Sequence, residues 1–291
     1  MLGVQLRKQQ VRKSSRKSLV RLPIYTLWYA LLLVGALISI FPYWLALTIS
    51  LRAPNQLYTD APWTLPSTIT LQNYLSVLTE YGFPGYILHT LIYAGALTIG
   101  QLVFSTFAAY AFARLEFPGR DMLFWLYLAT LMIPGVVTLI PTFVLVRSFD
   151  WVDSYYGLII PSLLGSPYGI FLMRQFFRTI PMDLENAARI EGASTWQILR
   201  LIVLPLCRPA IATLAIITFV QGWNDFLWPL IVSNSQDTRL LTVAITSFQS
   251  DHGSQWTLMM AATFITLAPL LVLFFLFQKH IVRSIHLSGF K

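Results

Sequence analysis

Few ionisable side chains in this chain sit where they could act away from water, and Asp225 is the one acid well inside an apolar run. It lies sixteen positions beyond Pro209, about 24 Å along a helix rising about 1.5 Å per residue. An acid within a membrane is a functional candidate by default. Pro229 supplies a local alternative, because it has no N–H for the carbonyl of residue 225 and its ring crowds that carbonyl. A kink or break around 223–229 follows, and the side chains of Asn224 and Asp225 can satisfy the freed backbone groups. Both readings stay open, since broken helices also line cavities. Trp223 and Trp228 flank this acid; their flat faces suit sugar rings, and interfacial anchoring is the other use of such residues. His89 is alone in its apolar run, and His252, His280 and His286 are dispersed, so no metal-ligand spacing arises and no metal site is expected. His89 reads as a packed, hydrogen-bonded side chain. No Ser/His/Asp arrangement appears, and no Gly-x4-Gly-Lys-Ser/Thr loop is present to cradle phosphates. The chain is therefore read as no enzyme, with no catalytic residue and no cofactor of its own. Cys207 is the single cysteine; it excludes an intrachain disulfide and reads as a small packing residue.

A second group of polar residues lies between apolar stretches, over 183–205. Asp183 is a candidate N-cap after Pro181, and a short helix runs from it to Gly192. Ala187 and Ala188 are small and allow close approach of a partner surface. Gly192 breaks the helix, and Ser194 or Thr195 can cap a second one over 195–203. That helix would place Trp196, Leu199 and Ile202/Val203 on one face, with Pro205 ending it. Two short helices at an angle form a knob able to move as a rigid body. An amphipathic loop lying on lipid headgroups is the alternative, but its polar face would be basic throughout. Here Asp183, Glu185 and Glu191 mix with Arg189, which suits a protein partner.

The elements that position these residues are legible in the composition. Hydrophobic residues make up 56% and charged residues 11% of the 291 positions, against roughly 25% charged in soluble domains. Apolar runs of about 20 residues recur, the length needed to cross a bilayer. The runs are continuous, unlike the alternating strands of a barrel. The expectation is an all-α membrane protein of six spans, at 24–50, 85–113, 122–146, 156–177, 209–232 and 255–278, preceded by a basic tail over 1–23. The run over 22–51 is too long for a cleaved signal peptide. The net charge of +8 is concentrated in that tail, in Arg7, Lys8, Arg12, Lys13, Arg16, Lys17 and Arg21. Such clusters bind anionic lipid, so nucleic acid is not an expected partner. With the tail inside, only Arg52, Arg147 and Arg239 of the 20 basic residues lie outside. Both termini and the 183–205 loop are thereby placed in the cytoplasm.

The loop also resembles the EAA coupling loop of ABC-importer permeases: Glu-Ala-Ala, three residues, Gly, nine residues, Ile-x-Leu-Pro. Ala187, Ala188, Gly192, Ile202, Leu204 and Pro205 match, whereas the motif's Glu falls on Asn186, with Glu185 the nearest acid. Trp223-Asn224-Asp225-Phe226-Leu227-Trp228-Pro229 is similar to the fifth span of carbohydrate-importer permeases of the type of the smaller maltose-importer subunit. The stretch over 109–120 and the group Met132-Ile133-Pro134 with Pro141 resemble the same family, in the same order. The resemblance implies the type I importer architecture. It implies a second permease subunit in a heterodimer, an ABC ATPase dimer that binds ATP and Mg, and an extracytoplasmic solute-binding protein. Glu185, Asn186, Ala187, Ala188, Glu191, Gly192, Leu204 and Pro205 would form the ATPase coupling surface. Trp223, Asn224, Asp225 and Trp228 would belong to the translocation pathway, and Asp251, His252, Gly253 and Gln255 to a binding-protein docking loop. The implied cargo is a sugar or oligosaccharide, crossing the inner membrane of a bacterium. Glycerol 3-phosphate, glycerophosphodiesters, polyols and amino sugars are alternatives, and an ion-coupled secondary transporter is the alternative of another class. The end of the chain, Ser288-Gly289-Phe290-Lys291, departs from the family's Gly-rich tail.

Overall fold

One long helix, α3 (Phe83–Arg114), forms the spine on which the other elements pack. The computed structural model describes the backbone of residues 2–250 and 253–288, and the side chains of 25–249, 255–276 and 278. Ahead of the spine come α1 (Leu2–Ser50), an outer loop and the short helix α2 (Gln72–Thr79). After it come α4 (Arg120–Ala129), α5 (Gly135–Ser148), α6 (Tyr155–Leu163) and α7 (Pro167–Thr179). The charged loop holds α8 (Met182–Ile190), α9 (Thr195–Ile198), a π turn over Leu199–Val203 and α10 (Leu204–Leu206). Then follow α11 (Arg208–Trp223), α12 (Leu227–Val232), α13 (Leu241–Thr246), a hairpin of β1 (Gln249–Ser250) and β2 (Gly253–Ser254), and α14 (Trp256–Ser288).

Three helical stretches are apolar and long enough to cross a membrane: Tyr25–Ser50, Phe83–Arg114 and Trp256–Leu276. Three bent pairs bring the number to as many as six. The apolar run read as a single span over 122–146 is broken, with α4 and its 3-10 extension meeting α5 at 100°. The cause is Pro134, which excludes the helical region for Ile133; that residue is extended, at φ −85° and ψ 116°. The run over 156–177 breaks less sharply, by 41°, where Ser166 caps α7 and Pro167 occupies its first turn. The run over 209–232 divides into α11 and α12 around Asn224, Asp225 and Phe226, the break that Pro229 foretold.

Three apolar clusters line the spine. At one end Tyr110 and Ala109 pack with Phe124, Met173, Phe177, Ile198, Leu199 and Val203. At the other, Phe83, Tyr86 and Ala94 pack with Trp223, Leu241, Phe248 and Met259. Between them Tyr93 and Leu97 meet Val146, Leu158, Val232 and Leu240. Contact between α3 and α11 is close at Gly222, where an added Cβ would lie 3.1 Å from the Ala94 Cα. By contrast α1 packs mainly on α14 and leaves its apolar surface uncovered, as a lipid-facing helix does.

Candidate functional site

The charged loop is held at the end of the spine by a buried cation. Arg114, the last residue of α3, donates from Nη2 to the carbonyls of Phe177 (2.6 Å) and Ile180 (2.8 Å) at the end of α7. Its Nη1 lies 2.8 Å from the Met182 sulfur, and its Nε lies 2.7 Å from Glu185 Oε1, an ion pair set off the hydrogen-bonding angle. The Tyr110 hydroxyl donates to the other Glu185 oxygen at 3.4 Å. One guanidinium thus joins α3, α7 and α8. It adds a charged donor to carbonyls at the end of α7, where the helix's own bonding runs out.

This geometry divides the loop residues into two sets. Glu185 is fully buried and Ala188, one turn on, is half-buried, so the inner face of α8 belongs to the packing. Asn186, Ala187, Glu191 and Gly192 are exposed, as is Ile190 at 87%. Gly192 adopts φ +83°, and the N–H of Ala193 reaches the carbonyl of Ala188 at 2.9 Å. The N–H of Gly192 reaches Arg189 at 3.0 Å, completing a Schellman cap that favours glycine at this position. The first helix starts at Met182 with Pro181 as its N-cap, so Asp183 lies in the first turn, where its charge suits the helix dipole, instead of at the cap.

Ser194 caps the second helix in a reciprocal box with Gln197. Its covered face is Ile198, Leu199 and Val203, while Trp196 is half-exposed and rests on Phe107, with ring centroids 5.9 Å apart. Pro205 does not end this helix. The N–H of Leu204 bonds to Leu199 in a π turn, and the helical path continues to Leu206. The widened turn places the missing Pro205 donor where the bonding pattern has already shifted. Leu204 is half-buried and Pro205 exposed. Met182, Leu184, Ile190, Leu201 and Leu206 add exposed apolar side chains around the knob.

At the break of the 209–232 run, Asp225 is half-buried and Asn224 exposed. Asn224 Nδ2 donates to the Val220 carbonyl at 2.8 Å. The Asp225 carboxyl accepts the hydroxyl of Tyr93 at 2.6 Å. The Asp225 carbonyl, deprived of a donor by Pro229, takes the hydroxyl of Thr242 instead. Trp228 donates its indole N–H to the carbonyls of Gly157 and Leu158, both at 3.2 Å. Trp223 is fully covered, stacked on Phe219 and bonded to the Thr266 carbonyl at 3.2 Å. In this conformation its ring offers no face to a solute. His89 is hydrogen-bonded to the Arg239 carbonyl at 3.2 Å and packs beside Tyr86 and Tyr155.

The hairpin rests on an aromatic floor: the Phe248 ring packs on Tyr81 at 4.9 Å and Phe83 at 5.7 Å. Gly253 pairs with Ser250, and Gln255 accepts the Tyr81 hydroxyl at 3.4 Å. Asp251 and His252 lie outside the described residues. Among the described residues no three His, Cys, Asp or Glu side chains converge.

Two further organising residues carried no signal in the sequence beyond their charge. Arg52 is fully buried and donates to the carbonyls of Asp60, Ala61 and Thr64, which orders the outer loop after α1. Asp153 accepts the N–H groups of Asn234 (2.9 Å) and Ser235 (3.0 Å) and the Thr238 hydroxyl, tying the turn before α6 to the segment after α12. Partial burial opposes its ionisation. The donated bonds outweigh that effect and hold the carboxyl at about 2, below the ordinary 3.8.

Broken apolar helices around one spine, with a charged two-helix loop clamped to its end, define a membrane permease. Its fold is that of solved ABC-transporter chains. A bacterial ABC transporter involved in the import of the acidic polysaccharide alginate superposes with a TM-score of 0.79 at 24% identity, covering 88% of this chain and 96% of that chain. The chain belongs to the family described as "Binding-protein-dependent transport system inner membrane component", which matches residues 101–287. It is similar to the sn-glycerol-3-phosphate transport system permease protein UgpE of Yersinia pestis bv. Antiqua (strain Antiqua). Identity is 35% over 266 residues, covering 88% of this chain and 94% of the relative. It is also similar to the arabinooligosaccharides transport system permease protein AraQ of Halalkalibacterium halodurans, at 31% identity over 88% of this chain and 92% of the relative. The chain is thus the permease component of a binding-protein-dependent ABC importer, a transport protein and not an enzyme.

Proposed function

We propose that this permease carries sugars or oligosaccharides across the inner membrane of a bacterium, through six spans with both termini in the cytoplasm. It pairs with a second permease, receives solute from an extracytoplasmic binding protein, and is driven by an ATPase dimer that binds ATP and Mg. The ion-coupled alternative is set aside by the family. The observation that carries the reading is the two-sided knob over 183–205. Its inner side is locked to α3 and α7 through Arg114 and Glu185, and its outer side presents Asn186, Ala187, Ile190 and Gly192. A push on the outer side is thereby delivered to two spans at once. In this scheme Asn186, Ala187, Ala188, Glu191, Gly192, Leu204 and Pro205 lie at or beside the ATPase contact, and Glu185 stiffens it from behind. Asn224, Asp225 and Trp228 border the pathway at the break, and Asp251, His252, Gly253 and Gln255 meet the binding protein.

A second cargo, glycerol 3-phosphate, is favoured by the relatives named for its transport. Uptake into proteoliposomes holding both permeases, the ATPase and the binding protein separates the cargoes. ATP-dependent accumulation of labelled oligosaccharide, not competed by glycerol 3-phosphate, supports the first; the reverse supports the second. Accumulation without ATP would overturn the scheme.

A further inference from the structure

We propose that Tyr93 is the positioning residue of the broken fifth span, holding the Asp225 carboxyl so that α12 and α13 are fixed to the spine as one outer block. The proposal rests on the importer reading for its functional meaning, but its geometry stands independently.

Tyr93 is fully buried, about three turns into α3, and its hydroxyl meets Asp225 Oδ2 at 2.6 Å. A buried hydroxyl without a partner is costly, so this bond is specified and not incidental. Asp225 distributes the tie. It stands just before α12, and its carbonyl takes the Thr242 hydroxyl of α13. A second bond from the spine runs parallel: Thr90, nearly one turn before Tyr93, accepts the N–H of Leu241 at 2.9 Å. Trp228 extends the block to α6 through the carbonyls of Gly157 and Leu158. The α3, α6, α12 and α13 elements therefore meet in one polar network, set within apolar packing by Leu97, Leu158, Val232 and Leu240.

The network is built on the non-helical backbone of the run itself, Asn224–Phe226, which follows the end of α11 at Trp223, one residue after α11 packs against Ala94 at Gly222. Motion entering from the knob through α11 meets the outer block at these few residues. Hinges are such short terminal segments between rigid bodies. The Tyr93 hydroxyl sets how firmly the outer side of the hinge is held. Asp225 is then occupied by the protein, and Asn224, exposed beside it, is the polar side chain left to face the pathway.

The test uses the full chain in its assembled complex: uptake is measured in the Cys207→Ser protein with Asn224 intact, and labelling in the same protein carrying Asn224→Cys. The maleimide labelling rate at position 224 reports the looseness of the break. Tyr93→Phe removes one oxygen and keeps the ring. It is expected to raise labelling at least threefold, to lower the maximal uptake rate at least fivefold, and to leave the uptake KM within twofold. Adding Tyr93→Phe to Asp225→Ala is expected to leave both readouts within twofold of Asp225→Ala alone, since without the carboxyl the hydroxyl has nothing to hold. A monodisperse gel-filtration peak establishes folding. Unchanged labelling in folded Tyr93→Phe overturns the proposal, as does a double variant whose defects multiply. Uptake by the parent protein without ATP would overturn the importer reading instead, and the labelling result would still decide the role of Tyr93.

Discussion

Replacing Glu185 by Gln should loosen the knob without removing any surface a partner touches. The pair with Arg114 is 2.7 Å apart, and the side chains are 0% and 4% exposed. Removing one partner of a buried pair costs about 3–5 kcal/mol. The lower end applies here, because Arg114 keeps the Phe177 and Ile180 carbonyls and the ion-pair contact is off the hydrogen-bonding angle. At about 1.4 kcal/mol per tenfold, about 3 kcal/mol corresponds to a fall of roughly 100-fold in the protection of α8 amides against hydrogen exchange. Global unfolding need not change as much, since the loss is local to one helix. The assay is exchange followed by mass spectrometry on peptides covering 182–193, alongside ATP-driven uptake. Asn186→Ala, on the exposed face, should change protection less than about twofold, as surface substitutions do. Protection of α8 unchanged in Glu185→Gln, or lost equally in Asn186→Ala, would refute the clamp. A double change of Arg114→Met with Glu185→Leu should restore much of the protection, since an apolar pair can replace a buried ionic one.

Other expectations follow from the same contacts. Gly192→Ala forces a side chain into φ +83°, at a cost of about 1–2 kcal/mol; uptake should fall while membrane insertion, read by Western blot, stays normal, and Gly192→Asn should be milder. Ala187→Arg, on an exposed position, should abolish ATP-driven uptake with little change in melting temperature. Asp153, whose carboxyl is held at about 2 against an ordinary 3.8, contributes stability that is present above about pH 4 and lost as pH falls through 2. The melting-temperature gap between wild type and Asp153→Asn should therefore close across that window, and a gap that widens on acidification would contradict the bonding described.

The helical membrane fold was readable because apolar length and uninterrupted hydrophobicity suffice to mark spans. The breaks were readable only in part. Pro229 marked its break directly, by the donor it lacks, and the Asn224 side chain does satisfy backbone there. The break at Pro134, where α4 and its extension meet α5 at 100°, was missed: continuous hydrophobicity over 122–146 reads as one span. In the loop, Gly192 and Ser194 announce their roles through local chemistry. The continuation through Pro205 was hidden, because a π turn depends on the packing of Leu199 and Val203. Least legible were the pairings across the chain. Arg114 reads as a charge at a span end and Tyr93 as one aromatic among many. Tyr93 and Asp225 lie 132 positions apart, and nothing in periodicity or spacing carries that distance.

The central claim, that the 183–205 knob is where ATPase motion enters this permease, is tested most directly by a photo-crosslinking residue at Ile190, which is 87% exposed. The same residue at Leu32, exposed on α1, serves as control in native membranes. The account predicts an adduct from position 190 that contains a P-loop ATPase, and none from position 32. Adducts at 190 made only with lipid, or with no ATPase among the proteins, would contradict it.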